Sequence, residues 1–314
     1  MDSLHHPAHP RASVAVLALL IAFPLVARAL GEEFYIGLAS RVLIFGMAAA
    51  SLNLILGFAG LVSFGHAAFF GLGAYTVAIL MERGVAGAWI AWPAAAAVAA
   101  LAALAIGAIS LRTRGVYFIM ITLAFAQMAY YLAVSLKAYG GDDGMPLPAR
   151  STLLPGVSLA DDTAFYYTVL VLLVLVLVLL HRIINARFGR VLQGIRENEA
   201  RMEALGFAVR RYKLAGFTVA GAIAGLAGAL IANQNGLVTP NLLSWQQSGA
   251  LMVMVILGGV GRLAGGVVGA VALLVLEEAL GTYTIHWPLG VGAVLLAVVL
   301  FAPRGLAGLA WRRR

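Results

Sequence analysis

Few side chains in this sequence are of the kinds that make or break covalent bonds. Ser63 and His66 lie three positions apart in SFGHAAFFG, where a hydroxyl and an imidazole could pair. No acidic residue lies near them in the sequence, so we interpret them as hydrogen-bonding in a packed turn. The chain has no cysteine and no HExxH motif. We therefore predict no catalytic residue, no metal site and no cofactor, and expect a non-enzyme.

ATP binding through a P-loop is also excluded. That motif needs a glycine-rich turn that ends in Gly-Lys followed by Ser or Thr. The lysines of this chain are Lys137 and Lys213, which follow Leu136 and Tyr212. Energy from ATP would have to come from another chain.

A small set of polar residues lies within or at the ends of long apolar runs. Such residues either bond to neighbouring helices or line a path for an amphipathic solute. The candidates for a translocation pathway are Asn53, Ser63, His66, Thr122, Gln127, Asn233 and Gln234. Glu277 and Glu278 also follow an apolar run, and we interpret them as lying at a membrane interface rather than inside the bilayer.

Membrane-spanning helices must position these residues. The chain is 62% hydrophobic and 11% charged, whereas roughly a quarter of the residues of a soluble protein are charged. The apolar runs are 12–30, 42–81 (enough for two spans), 84–111, 115–136, 163–180, 214–261 (again two), 263–282 and 286–303. Segments of these lengths must be helices, because an open strand edge would leave backbone N–H and C=O groups without hydrogen bonds in lipid. We predict an all-α polytopic membrane protein with about ten transmembrane helices, or as few as about eight.

The distribution of Lys and Arg predicts the orientation. With the N-terminus inside, most of the 21 basic residues are cytoplasmic and most acidic residues are outside. The cytoplasmic bases are then Arg11, Arg112, Arg114, those between 182 and 213, Arg262, Arg304 and Arg312 to Arg314. Both termini are therefore predicted to be cytoplasmic. The net charge of +8 reflects topology, not binding to nucleic acid.

The predicted organisation is one membrane domain with two tails and two long loops. Residues 1–11 form a cytoplasmic N-terminal tail, 12–303 the transmembrane domain and 304–314 a basic cytoplasmic C-terminal tail. Loop 137–164 contains GGDDG and is predicted to be periplasmic. Loop 181–213 is predicted to be cytoplasmic.

Two glycine patterns are present. The run AGFTVAGAIAGLAGAL, residues 215–230, has small residues at helical spacing and predicts a tightly packed helix. The string ILGxxG occurs at Ile55–Gly60 and again at Ile256–Gly261. It is a weak hint of two related halves, because both copies have the same predicted direction.

The cytoplasmic loop contains a predicted amphipathic helix over 190–206, which ends at Gly206. Two interpretations are open: a helix on the lipid surface, or a docking helix for a cytoplasmic protein. Its acidic residues favour docking, because a lipid-bound helix gains nothing from them. The apolar positions are Leu192, Ile195, Met202 and Leu205. The residues expected to face water or a partner are Arg196, Glu197, Glu199 and Glu203.

The same loop resembles that of a known family. The pattern R-F-G-R-x-L-x-x-I-R-E-N-E-x-x-x-E-A-L-G from Arg187 to Gly206 is similar to the coupling loop of branched-chain amino acid ABC-transporter permeases. SLNLILGFAGLVSFGHAAFFGLGAY, from Ser51 to Tyr75, resembles the signature of the M-type subunits of that family. Further similar segments follow in order: RGVYFIMITLAFAQM (114–128), YGGDDG (139–144), ILGGVGRLAGGVVGA (256–270) and FAPRGLAG (301–308).

The resemblance implies the permease subunit of an ABC importer in a bacterial inner membrane. Such a subunit forms the pathway as a heterodimer with a sister permease, for branched-chain amino acids or a related small amphipathic solute. The other implied partners are two cytoplasmic ATPase subunits, a periplasmic solute-binding protein and the lipid bilayer. The implied ATPase-coupling residues are Arg196, Glu197, Glu199, Glu203 and Gly206. The implied docking residues for the binding protein are Asp142 and Asp143.

The alternative is a secondary transporter of small organic solutes driven by an ion gradient. It would need buried acids as proton or sodium sites. The runs 42–81 and 214–261 contain none, which disfavours it. An intramembrane enzyme would require paired acids or a metal cluster within the spans, and neither occurs there.

Overall fold

The computed structural model describes residues 10–154, 157–302 and 305–310. Most of the predicted N-terminal tail, and Arg304 and Arg312 to Arg314 of the C-terminal tail, lie outside these residues. The helices are α1 Pro10–Ala29, α2 Phe34–Asn53, α3 His66–Glu82, α4 Ala88–Ser110, α5 Val116–Ser135, α6 Asp162–Asn185, α7 Arg187–Glu197, α8 Glu199–Ala204, α9 Val209–Asn235, α10 Trp245–Gly258, α11 Gly265–Tyr283, α12 Trp287–Phe301 and α13 Leu306–Ala310. The strands are β1 Met145–Pro146, β2 Thr152–Leu154, β3 Val157–Ser158 and β4 Leu237–Val238.

Every predicted membrane segment contains a helix, and each run that is long enough for two spans contains two. By length and composition, six helices of the described chain could cross a membrane. They are Phe34–Phe58, Ala88–Ser110, Val116–Ser135, Asp162–Asn185, Val209–Asn235 and Gly265–Tyr283. Three shorter apolar helices are Ala15–Ala29, His66–Glu82 and Trp287–Phe301. The all-helical membrane fold is confirmed, whereas ten full spans stay a prediction.

Helix α9 is at the centre and packs against α2, α3 and α4. Its small residues bring backbones together: a Cβ on Gly73 would lie 2.6 Å from the Cα of Gly225, and one on Gly228 would lie 3.1 Å from the amide nitrogen of Ala74. A larger side chain at these positions would force the helices apart. The predicted tight packing of 215–230 is therefore confirmed.

Two short helices start inside the protein. After α2, a π-helical turn, Leu54–Phe58, and an irregular segment lead to α3 at His66. After α9, strand β4 and a 3₁₀ turn, Pro240–Leu243, lead to α10 at Trp245. The two starts meet where the amide N–H of Ala67 donates a 2.8 Å hydrogen bond to the buried Oγ of Ser248.

The two long loops lie at opposite ends of α9. At its C-terminal end, β4 pairs with β1, and the Asn233 side chain accepts a hydrogen bond from the Ser151 amide. At its N-terminal end lie α7 and α8. An α9 of 27 residues separates these ends by about 40 Å.

The loop helix is not continuous, so the prediction of one helix over 190–206 is wrong. It is divided into α7 and α8 by Asn198, whose backbone is extended (φ −157°, ψ 98°). The Asn198 Oδ1 accepts a 2.9 Å hydrogen bond from the Arg201 amide. Asparagine favours such an N-cap over a helix interior because its side chain competes for backbone donors. The predicted end is confirmed: α8 stops at Ala204 and Gly206 is left-handed, with φ 86°.

Candidate coupling surface and pathway residues

Helix α7 rests on the transmembrane helices through an apolar face. Of the four predicted apolar positions, Leu192 and Ile195 are buried, Met202 is half-buried and Leu205 is exposed. Leu192 packs against Gly216 of α9. Arg190 and Glu197 are exposed on the remaining surface. The surface of α7 that faces away from the transmembrane helices is therefore charged.

Helix α8 is held by ion pairs and has no buried residue. The Glu199 carboxylate lies 2.7 Å from Lys213 Nζ of α9 and 3.5 Å from Arg114 Nη2 of the α4–α5 turn. Arg114 also lies 2.9 Å from the Glu203 carboxylate. The Lys213 side chain is only 11% exposed, whereas that of Arg114 is 68% exposed. The Lys213 pair therefore contributes most, because solvent screens the Arg114 pairs.

These contacts correct the expectation that the four charged candidates all face water or a partner. Glu197 is exposed as expected, and Glu203 is exposed but paired. Glu199 points inward to Lys213. Arg196 is exposed at its surface, yet its guanidinium donates to the carbonyl oxygen of Gly57. The loop thus uses some of its charges to hold its own position, which spacing along the chain could not reveal.

Asn53 closes a contact between two turns. Its Nδ2 donates a 2.6 Å hydrogen bond to the Arg262 carbonyl, and its Oδ1 accepts a 2.9 Å bond from the Gly261 amide. The side chain is 1% exposed. Both ends of the amide are used by the backbone, so Asn53 serves packing in this conformation.

A buried polar cluster lies where α3 starts. His66 Nε2 lies 2.8 Å from Ser51 Oγ, and Thr122 Oγ1 accepts a 3.3 Å hydrogen bond from the Phe64 amide. Ser63 Oγ accepts a bond from the Gly65 amide rather than pairing with His66. Ser51 and Ser248 complete this cluster and were not among the predicted residues. Ser51 begins the signature quoted above and no motif marks Ser248, but their partners lie in other helices, so no local spacing pairs them.

The remaining pathway candidates lie elsewhere. Asn233 bonds Ser151 at 2.6 Å, and Gln234 Nε2 donates to the Gly37 carbonyl at 3.2 Å, at the opposite end from Asn53. Gln127 lies on α5 in a shallow apolar groove of about 870 Å³. The structure thus separates the seven candidates into distinct places, and their pathway role stays a prediction.

At the other end of the molecule, the GGDDG segment forms a tight turn. Asp142 and Asp143 are exposed, while Gly141 and Gly144 beside them are buried. Gly144 has φ 84° and a Cβ there would lie 3.1 Å from the Thr239 Cα. The glycines allow the turn to press against the β4 region and leave both carboxylates at the surface.

Comparison with known proteins decides the family. Residues 34–303 match the family described as "Branched-chain amino acid transport system / permease component". This chain belongs to that permease family. The predicted resemblance is therefore confirmed, and the protein is a multi-pass membrane protein of a transport permease family.

Individual relatives agree with the family. The high-affinity branched-chain amino acid transport system permease protein LivM of Escherichia coli (strain K12) is 30% identical over 93% of this chain and 73% of the relative. A probable LivM of Methanocaldococcus jannaschii is 25% identical over 82% of this chain and 88% of its own. A probable LivH of the same organism is 26% identical over 47% of this chain and 48% of its own. No solved structure matches.

Proposed function

We propose that this chain is the permease subunit of an ABC importer in a bacterial inner membrane. It would carry branched-chain amino acids or a related small amphipathic solute, and separate ATPase subunits would drive it. The observation that carries the proposal is the match of residues 34–303 to the branched-chain amino acid permease family. The absence of a P-loop supports ATP hydrolysis by separate subunits, because this chain lacks the residues that would bind the phosphates of ATP.

The proposed topology has about ten spans and both termini in the cytoplasm. The α7–α8 end is the cytoplasmic end, because most Lys and Arg residues lie there. The loop that contains Asp142 and Asp143 is then periplasmic. The exposed carboxylates of this turn are the proposed contact for a solute-binding protein.

The exposed surface of α7 and α8 is the proposed docking surface for an ATPase. Among the proposed coupling residues, Glu197 is the strongest candidate for a direct contact with the ATPase, because it is exposed and has no side-chain partner in the described residues. Glu199 and Glu203 would act by holding α8 in place, and Gly206 by ending it. A helix that only lay on anionic lipid would gain nothing from these acids.

The proposed pathway forms between this chain and a sister permease. The similarity of this chain to both LivM-type and LivH-type relatives supports a heterodimer of related subunits. Within this chain, Asn53, Thr122 and Asn233 are buried and hydrogen-bonded to backbone. Gln127 is the pathway candidate that the geometry supports best, because it borders an open groove on α5. Few residues of α5 are buried within this chain.

Reconstitution tests the proposal. The chain is purified with the sister permease and ATPases encoded beside it, placed in proteoliposomes and supplied with the binding protein and radiolabelled leucine. Uptake should require ATP and persist when ionophores collapse ion gradients. The chain alone should bind no nucleotide. Uptake that needs an ion gradient and not ATP would instead support the secondary transporter.

A further inference from the structure

The two copies of ILGxxG, Ile55–Gly60 and Ile256–Gly261, meet in the folded chain. A Cβ on Gly57 would lie 2.8 Å from the Cα of Gly261, so the two backbones are in contact. Gly60 and Gly261 both have left-handed backbone, with φ 71° and φ 78°. Each copy therefore ends in a turn that glycine favours. We call the two touching turns the glycine joint.

At the glycine joint the chain changes direction twice, once between each of two pairs of helices. The first copy leads from α2 to α3, and the second leads from α10 to α11. Asn53 fastens the second turn to the end of α2 through its bonds to Gly261 and Arg262. A shift of one turn is thus transmitted to the other.

Arg196 inserts from α7 into this joint. Its guanidinium donates to the Gly57 carbonyl in the first copy, and Nη1 lies 3.0 Å from the position of a Cβ on Gly261 in the second. Its Cγ lies 3.1 Å from the position of a Cβ on Gly60. A side chain on Gly60 or Gly261 would crowd the arginine, whereas one on Gly57 would crowd Asn53 and Gly261 instead.

We propose that Arg196 is the positioning residue that links α7 to both ILGxxG turns, so that displacement of α7 is transmitted to the start of α3 and to the start of α11, and changes the position of one relative to the other. This inference rests on the proposed function, because it assumes that an ATPase moves α7. The other contact of α7 described above, between Leu192 and Gly216, is apolar and leads to α9. The guanidinium bond is directional and charge-assisted, so it resists sliding.

The test uses the complete transporter in proteoliposomes and compares Arg196→Ala and Arg196→Lys with wild type. Arg182→Ala is the control, since Arg182 of α6 is an exposed arginine outside α7 and α8, and its side chain has no partner in the part of the chain that the structure describes. Arg196→Ala should keep its ATPases and hydrolyse ATP, but transport about tenfold less solute per ATP, as expected for the loss of a charge-assisted hydrogen bond. Arg196→Lys should recover part of the ratio, because lysine still donates. Arg182→Ala should leave the ratio unchanged.

A second measurement follows the motion itself and does not depend on transport. The chain has no cysteine, so spin labels at Glu82→Cys and Thr282→Cys report the distance between the outer ends of α3 and α11. Nucleotide should change this distance in the wild-type background and leave it unchanged with Arg196→Ala. If Arg196→Ala does not insert, the same comparison with Arg196→Lys should show a reduced change.

A wild-type solute-to-ATP ratio in Arg196→Ala, or a nucleotide-dependent distance change in Arg196→Ala as large as that in the wild-type background, overturns the inference and leaves the proposed function intact. Loss of the ATPases from Arg196→Ala also overturns it, because Arg196 would then be a docking contact. Absence of ATP-dependent uptake in the wild-type complex overturns the proposed function instead.

Discussion

The Lys213 ammonium lies 2.7 Å from the Glu199 carboxylate and ties α8 to the first turns of α9. The two side chains are 11% and 25% exposed. No residue of α8 is buried, and its Met202 side chain touches α7 at Gly194. Of the ion pairs that hold α8, this is the one that is shielded from solvent, so we expect it to contribute most to the position of the proposed ATPase-facing surface.

Removal of Glu199 should destabilise the loop much more than removal of Glu203. Glu199→Ala leaves the shielded Lys213 without its partner, which we expect to cost about 3 kcal/mol. Glu203→Ala loses an exposed pair and should cost about 1 kcal/mol or less. Unfolding of the purified chain by SDS titration measures both. Lys213→Met added to Glu199→Ala should restore most of the loss, and equal costs for Glu199 and Glu203 would contradict this account.

Charge reversal at Glu197 should separate docking from lipid binding. Because Glu197 is exposed at the end of α7, Glu197→Arg should change stability by about 0.5 kcal/mol or less. It should nevertheless lower ATPase retention and uptake at matched protein levels, since a reversed charge at an interface can cost several kcal/mol. The loss should depend on salt. Unchanged retention and uptake would favour a helix that lies on the membrane surface.

Cysteine labelling should determine the orientation. Asp143→Cys should react with an impermeant thiol reagent in cells whose outer membrane is permeable, and Arg190→Cys should react only after lysis. Both positions are exposed. Ser151 lies in the same loop as Asp143 but is 0% exposed, so it is a poor labelling position. Reversed labelling would place α7 and α8 outside the cell and refute the proposed topology.

Gln127 should affect transport and not assembly. Gln127→Leu removes a polar group from the α5 groove while keeping a side chain of similar size. If that group contacts solute, uptake should fall about three- to tenfold, which corresponds to one neutral hydrogen bond. ATPase retention should stay at the wild-type level. Ser135→Ala, at the end of the same groove, is the control, and equal effects of the two substitutions would count against a specific contact.

Local features of this protein followed from the sequence. The apolar runs predicted every membrane helix, because the length and hydrophobicity of a segment are properties of that segment alone. Leu192 and Ile195 predicted the buried face of α7, and Gly206 predicted the end of α8. The family resemblance was also readable from 51–75 and 187–206, since its motifs are contiguous.

Contacts between segments that are distant in the sequence were decided only by the tertiary structure. Asn198 divides the loop helix because its side chain caps α8, and the spacing of apolar residues carries no information about such a cap. Glu199 pairs with Lys213, His66 with Ser51, and Arg196 with Gly57, and none of these pairs follows a local spacing. The repeat at 55–60 and 256–261 was visible in the sequence, but its meeting at Arg196 was not. That meeting depends on how α2, α7 and α10 pack against one another, and packing is set by all of the helices together.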